Sequence, residues 1–67
     1  MSDWIAIAVG KMHVNKISHA ELAEKMGYTR EYVTMILNGK KEPDGIGERI
    51  LQAINEIIAE RQSNNQD

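Results

Sequence analysis

The two histidines, and the serine beside one of them, are the side chains that could support catalysis or metal binding. His13 and His19 are six residues apart, and the 67-residue chain has no Cys that could complete a zinc site with them. Ser18 directly precedes His19, but adjacent residues at a helix start point in different directions, so the pair is not a catalytic dyad. Gly45 and Gly47 are not followed by the Lys-Ser/Thr of a phosphate-binding loop. We therefore expect no enzyme, no metal and no cofactor.

A second group of side chains has the chemistry and the spacing of a surface that reads DNA bases. With 100° per residue, a helix over residues 29–38 places Val33, Ile36 and Leu37 inward and leaves an opposite arc of roughly 140°. Arg30 can donate two hydrogen bonds to guanine, and Glu31 can accept one from cytosine. The expected base-reading residues are Thr29, Arg30, Glu31, Thr34, Met35 and Asn38.

Some of these residues have an alternative role inside the protein. Glu31 could stabilise the helix dipole or orient Arg30 without touching a base. Met35 is apolar on a polar arc, so it could contact a thymine methyl, as could Thr34, or pack within the protein. Tyr32, at the edge of the arc, could contact a phosphate or pack half-buried.

Phosphate contacts are expected from residues that flank the arc. Lys40 and Lys41 follow the helix and suit contacts that fix register without reading sequence. His19 begins the preceding helix, where backbone N–H groups and the dipole favour a phosphate. Tyr32 completes the expected phosphate-binding set.

Start and stop signals predict four helices that position these side chains. The expected spans are about 2–14, 18–26, 29–38 and 45–61. Ser2, Ser18, Thr29 and Asp44 are suitable N-caps, and Ser18 with Glu21 forms a capping box. The glycines at positions 27 and 39 are typical helix stops.

The two middle helices have the features of a helix-turn-helix. This motif needs a small residue where its helices cross, a glycine in the turn, and apolar residues that attach both helices to the core. Ala23 and Gly27 supply the first two features. The apolar positions are Leu22, Met26, Val33 and Ile36.

The segment ISHAELAEKMGYTREYVTMILNGKKEP, Ile17 to Pro43, resembles the phage repressor/Cro-type (lambda-repressor-like, XRE-type) helix-turn-helix family. The resemblance covers about two-fifths of the chain and is strongest in ELAEKMG and ILNGKKEP. It implies a compact all-α bundle of four or five helices whose third helix enters the major groove of DNA. The single long last helix predicted for this sequence would replace the two shorter helices usual in the family, and is a departure from its pattern.

The first helix is expected to turn Ile5, Ala8, Val9 and Met12 inward, and it carries Trp4, Ile7 and Val14 on another side. Together the first and last helices carry more apolar surface than a 67-residue domain can bury. The apolar arc of the last helix spans roughly 160°, wider than the ~100° stripe of a surface helix. Exposed apolar patches usually mark an interface. We therefore expect a symmetric homodimer, with interface residues Trp4, Ile7, Leu51, Ile54 and Ile58.

Charge is distributed unevenly along a chain whose net charge is −2. Residues 1–41 hold six Lys or Arg and four acidic residues, net +2, whereas residues 42–67 hold two Arg and six acidic residues, net −4. The acidic excess therefore lies outside the segment expected to meet DNA. We expect one domain over residues 1–61 and a disordered polar tail over 62–67.

These observations predict a small Cro-like transcriptional repressor that binds a pseudo-palindromic operator in double-stranded DNA. The alternative is a protein-binding helical module, such as an antitoxin or inhibitor, built on the same scaffold. Neither a signal peptide nor a membrane span is evident in the sequence, so the expected location is the cytoplasm of a bacterial or phage-infected cell. No small-molecule ligand is expected.

Overall fold

The structure, a computed structural model, describes residues 3–64 and consists of four α helices joined by short turns. The helices are α1 (Asp3–Asn15), α2 (His19–Met26), α3 (Arg30–Leu37) and α4 (Ile46–Asn64). No strand occurs between residues 3 and 64, and the expected all-α class is confirmed. The N-cap expected at Ser2 lies outside the described residues. None of the four helices is long and apolar enough to cross a membrane.

The core is aliphatic and receives side chains from every helix. α4 packs against both α1 and α2, and α3 packs on α2. The largest fully buried side chains are Leu22, Val33, Ile36, Ile46, Ile50 and Ile54. Burial of a side chain of this size contributes about 1.5–3 kcal/mol, so Val33 and Ile36 attach α3 firmly to the bundle.

The first three helices end in the same reverse turn. At the end of α2, the N–H of Tyr28 donates to the carbonyl of Ala23 at 2.9 Å, and Gly27 between them has φ 79°. This is the Schellman arrangement, which needs a left-handed residue after the helix. The corresponding left-handed residues are Lys16 after α1 and Gly39 after α3.

Arg61, near the end of α4, binds the turn between α1 and α2. Its guanidinium donates to the backbone carbonyls of Asn15 and Lys16 and to a carboxylate oxygen of Glu21 at 2.6 Å. The Glu21 carboxylate, which the capping box assigned to the N-terminus of α2, is thus a partner of α4. Ser18 keeps its capping role, since its hydroxyl accepts from the Glu21 N–H at 3.0 Å.

The two ends of α4 differ slightly from the sequence-based boundaries. The first helical bond runs from the N–H of Arg49 to the carbonyl of Gly45, which has φ 74°. Gly45 rather than Asp44 therefore precedes the first turn. The helix continues to Asn64 instead of ending near Arg61, and residues 65–67 of the expected tail lie outside the described part of the chain.

The expected surface of α1 and α4 needs two corrections. Ile54 was assigned to the dimer interface, but its side chain is fully buried on the inward face of α4 and is unavailable to a second chain. Val9 was expected to face inward with Ala8 and Met12, but it is 45% exposed because it lies at the margin of the inward face. Trp4 packs flat against α4, where a Cβ on Gly47 would lie 2.9 Å from the indole ring.

Candidate nucleic-acid interface

Two local caps fix where the helix-turn-helix begins and how α3 is presented. Ser18 caps α2, as described above. At α3 the Thr29 hydroxyl oxygen accepts from the N–H of Tyr32 at 3.1 Å. The Gly27 turn leaves only two residues, Tyr28 and Thr29, before α3 starts. The sequence-predicted caps at Ser18 and Thr29 are therefore confirmed.

Five of the six expected base-reading residues lie on one face of α3, while the sixth, Thr29, caps the helix and does not line this face. Side chains that line a shallow groove on the outside of α3 come from Arg30, Glu31, Thr34, Met35, Asn38 and Lys40. Thr34 and Met35 form its half-buried floor, and the other four residues are exposed. The groove therefore presents one guanidinium, one carboxylate, one amide and one ammonium around a largely apolar floor.

Tyr32 is held at the edge of this face by aromatic packing. Its ring meets that of Tyr28 edge to face, with centroids 5.0 Å apart and planes at 85°. The guanidinium of Arg49 in α4 lies 5.7 Å from the centre of the Tyr28 ring. Of the two roles considered for Tyr32, half-buried packing is thus observed, and a phosphate contact by its hydroxyl stays a prediction.

His19, the first residue of α2, contacts the middle of α3. Its Nδ1 lies 2.9 Å from the Oγ1 of Thr34 in a partly buried hydrogen bond. Sequence reasoning placed His19 at a phosphate and Thr34 at a base without connecting them. The two residues are fifteen positions apart, and only the crossing of α2 over α3 brings them together.

Two lysines of α1 and α2 are engaged by side chains of α4. Lys25 in α2 is paired with α4, where its Nζ lies 2.5 Å from Glu60 and 3.7 Å from Glu56. The hydrogen bond that Lys25 donates to Glu60 and the charges of both carboxylates raise the pKa of Lys25 above its ordinary value. Lys11 donates to Asn55 of α4 at 3.1 Å.

Three exposed cations at the start of α3 and directly after it form no ion pair within residues 3–64. Arg30 and Lys40 line the groove, and Lys41 is the next residue along the chain. The +2 charge of residues 1–41 is therefore not spread evenly over the surface. Three of its six cations lie at the start of α3 and directly after it, where they could contact a ligand with a repeating negative backbone.

A family model described as helix-turn-helix matches residues 15–46. The matched segment runs from the end of α1 to the first residue of α4, just under half of the chain, and contains α2, the Gly27 turn and α3. No curated protein and no solved structure matches the chain. The family match and the packing of α3 on α2 agree on a helix-turn-helix unit in this segment.

Proposed function

We propose that this protein is a sequence-specific double-stranded DNA-binding protein, and that it acts as a small Cro-like repressor of the XRE type. In this proposal α3 enters the major groove, and the protein represses by occupying a promoter in a bacterial or phage-infected cell. Catalysis is not part of this role. The proposed role includes no effector, so the concentration of the protein sets how much of the operator is occupied.

One observation carries the proposal: the groove on α3 gathers the base-reading side chains on a helix whose other side is firmly buried. Arg30 and Glu31 lie in the first turn, and recognition helices contact base edges from their N-terminal half. A surface that must be held rigidly against the bases benefits from the core contacts of Val33 and Ile36. The family match over this segment supports the same role.

The small number of cations beside α3 in one protomer supports binding as a dimer. Arg30 and Lys40 line the groove and Lys41 follows directly, and only the two lysines are assigned to phosphates. A dimer would then neutralise about four phosphates, which corresponds to a salt slope of about −3 to −4. Two α3 helices about 34 Å apart would read half-sites ~10 bp between centres.

The outer sides of α1 and α4 provide a candidate dimer surface. Lys11 lies between Ile7 and Val14 on α1, and its partner Asn55 occupies the equivalent place on α4. Ile7 is 52% and Val14 78% exposed. The Lys11–Asn55 hydrogen bond thus sets two apolar stripes side by side.

We name this patch the α1–α4 surface, and it consists of Trp4, Ile7, Val14, Leu51 and Ile58. Leu51, Ile58 and Trp4 are half-buried against the core. Val14 was not among the interface residues expected from sequence, although it lay on the same side of α1. Ile54 leaves the set because it is buried.

A binding-site selection with random duplex DNA tests the proposal. We expect a pseudo-palindrome with half-sites ~10 bp between centres, bound with an affinity that falls about 100-fold between 50 and 200 mM salt. Selection of no sequence would contradict the function. Sedimentation that shows only a 7.6 kDa monomer at micromolar concentration would contradict the dimer.

The exposed side chains of α1 also favour a second candidate, a module that binds a protein partner. Ile7 and Val14 on one side of α1 and Val9 on another leave apolar side chains exposed on two sides of the helix. Binding through such a surface would change little with salt, whereas binding through phosphate contacts weakens steeply. The salt dependence of any isolated complex therefore separates the two candidates.

A further inference from the structure

The contact between His19 and Thr34 links the start of α2 to the floor of the groove. We propose that His19 is a positioning residue that determines what Thr34 offers to DNA. By holding the hydroxyl of Thr34, His19 leaves the methyl group as the part of the side chain that meets a base. This inference rests on the proposed DNA-binding function and assigns a thymine preference to one position of each half-site.

The contact restricts the conformation of Thr34. In helices a threonine divides between two χ1 rotamers, because its hydroxyl can also bond a carbonyl in the preceding turn. The Nδ1 of His19, 2.9 Å from Oγ1, selects the rotamer that points this oxygen at α2. Once Oγ1 is fixed, the methyl group on the same Cβ has a single direction.

An engaged hydroxyl also loses its ability to read bases flexibly. A free threonine hydroxyl can donate to or accept from several base edges. In this protein the Oγ1 has a partner inside the protein in either tautomer of His19, with the imidazole as donor or as acceptor. Because the bond holds Oγ1 towards α2, we expect Thr34 to present mainly its methyl group in the groove.

The surroundings of Thr34 fit a methyl group of a base. Met35, half-buried and apolar, is its neighbour on the floor of the groove, and Arg30, Asn38 and Lys40 stand around the rim. Thymine is the base that shows a methyl group in the major groove. The methyl group of Thr34 and the side chain of Met35 together form an apolar patch that could contact the methyl group of thymine.

The rest of the His19 side chain remains compatible with the phosphate contact expected from sequence. Only Nδ1 is bonded to Thr34, which leaves Nε2 for a second partner. His13 lines a neighbouring groove with His19, between Val9 and Ile17, and it is exposed. It therefore supplies a matched histidine that has no contact with Thr34.

The test compares binding to the selected operator with binding to copies in which one thymine at a time is replaced by uracil, which lacks the methyl group. We expect the unaltered protein to bind one such copy about three- to fivefold more weakly, the change that burial of one methyl group gives. The ratio of the affinities for the thymine and uracil duplexes at that position should fall to about one in Thr34→Ser and be preserved in Thr34→Val. His19→Ala should reduce it towards one, whereas His13→Ala should leave it unchanged.

Two further variants distinguish positioning from a general structural role. His19→Asn keeps a hydrogen-bonding group near Thr34 and should restore much of the thymine preference. In His19→Ala/Thr34→Val the methyl no longer needs to be positioned, so the preference should return even if the protein is less stable than the parent. Thermal unfolding of each variant shows the folded fraction at the temperature of the binding measurement.

Failure of this inference differs from failure of the proposed function. If the protein binds its operator but His19→Ala keeps the full thymine-to-uracil ratio, or if no thymine in the operator is sensitive to loss of its methyl group, the inference is wrong and the function stands. If the unaltered protein selects no duplex at all, the proposed function is wrong, and the inference falls with it.

Discussion

Arg61 and Glu21 form an ion pair, with Nη2 and Oε1 2.6 Å apart, that ties the last turns of α4 to the first turn of α2. The same guanidinium holds the carbonyls of Asn15 and Lys16. A single planar side chain thus fixes the angle between α1 and α2. The fork-like set of donors on arginine suits it to several acceptors at once.

Arg61→Ala should lower the free energy of unfolding by about 1–2 kcal/mol, since it removes hydrogen bonds to charged and backbone groups at a partly exposed site. Chemical denaturation measures the change. Gln62→Ala, one exposed position further along α4, is the control and should stay within about 0.5 kcal/mol of the parent. Equal free energies of unfolding for the two variants would show that the contacts of Arg61 do not stabilise the protein.

Gly47→Ala should destabilise the protein because the added Cβ would lie 2.9 Å from the Trp4 ring. Overpacking of this kind costs typically about 1–3 kcal/mol. Gly10→Ala is the matched control, because no atom lies within 4 Å of its added Cβ. Gly10→Ala should raise the free energy of unfolding by about 0.5–1 kcal/mol, because alanine favours the helix more than glycine does. The same sign of change at both glycines would contradict the packing of Trp4 on α4.

Arg30→Ala should relax base preference at one position of each half-site and weaken specific binding by ~1–3 kcal/mol. A repeated site selection with the variant measures this change. Arg30→Lys keeps the charge but loses the two-pronged donor pair, so it should also lose the preference while retaining more affinity. An unchanged consensus for Arg30→Ala would remove this residue from the base-reading set.

Lys40→Ala and Lys41→Ala should weaken binding to all sequences alike and reduce the salt slope by about 1 per lysine in each protomer. Affinity titrations at several salt concentrations give this slope. Lys25→Ala is the charge-matched control. This substitution should leave the salt slope unchanged, because Lys25 is paired with Glu56 and Glu60. A shifted base preference in the Lys40 or Lys41 variant would contradict a phosphate role.

Val14→Glu should shift the dimer to monomer, because it places a carboxylate at the most exposed apolar position of the α1–α4 surface. Val9→Glu is the control on another side of α1, where an exposed valine lies outside this surface. Sedimentation of both variants at equal concentration compares their masses. Dissociation by Val9→Glu alone would assign the interface to the groove beside His19 instead.

The sequence was sufficient for features that depend on neighbouring residues. The caps at Ser18 and Thr29, the turn at Gly27 and the inward face of α3 are set within a few positions, and all were predicted. Features that depend on distant residues were not predicted. The contact of His19 with Thr34 and the clamp by Arg61 need the relative placement of whole helices.

Burial on α1 and α4 shows a second limit of reasoning from sequence. Both helices are apolar over wide arcs, so the pattern could not distinguish the centre of the inward face from its margins. Ile54 was therefore assigned to an interface although it is part of the core, and Val9 was assigned to the core although it is exposed. The packing of α4 against α1 and α2 decides which apolar positions are buried.

The pairing of Lys25 with two carboxylates of α4 bears on how the protein approaches DNA. Lys25 offsets the charge of Glu56 and Glu60, so the face where α2 meets α4 carries little net charge, whereas Arg30, Lys40 and Lys41 form no ion pair within residues 3–64. In the proposed function, this local excess of positive charge beside α3 orients the protein in the field of a polyanion before contact. Encounters that begin with α4 towards the duplex lack that attraction, so productive collisions would begin at α3 although the total charge is negative.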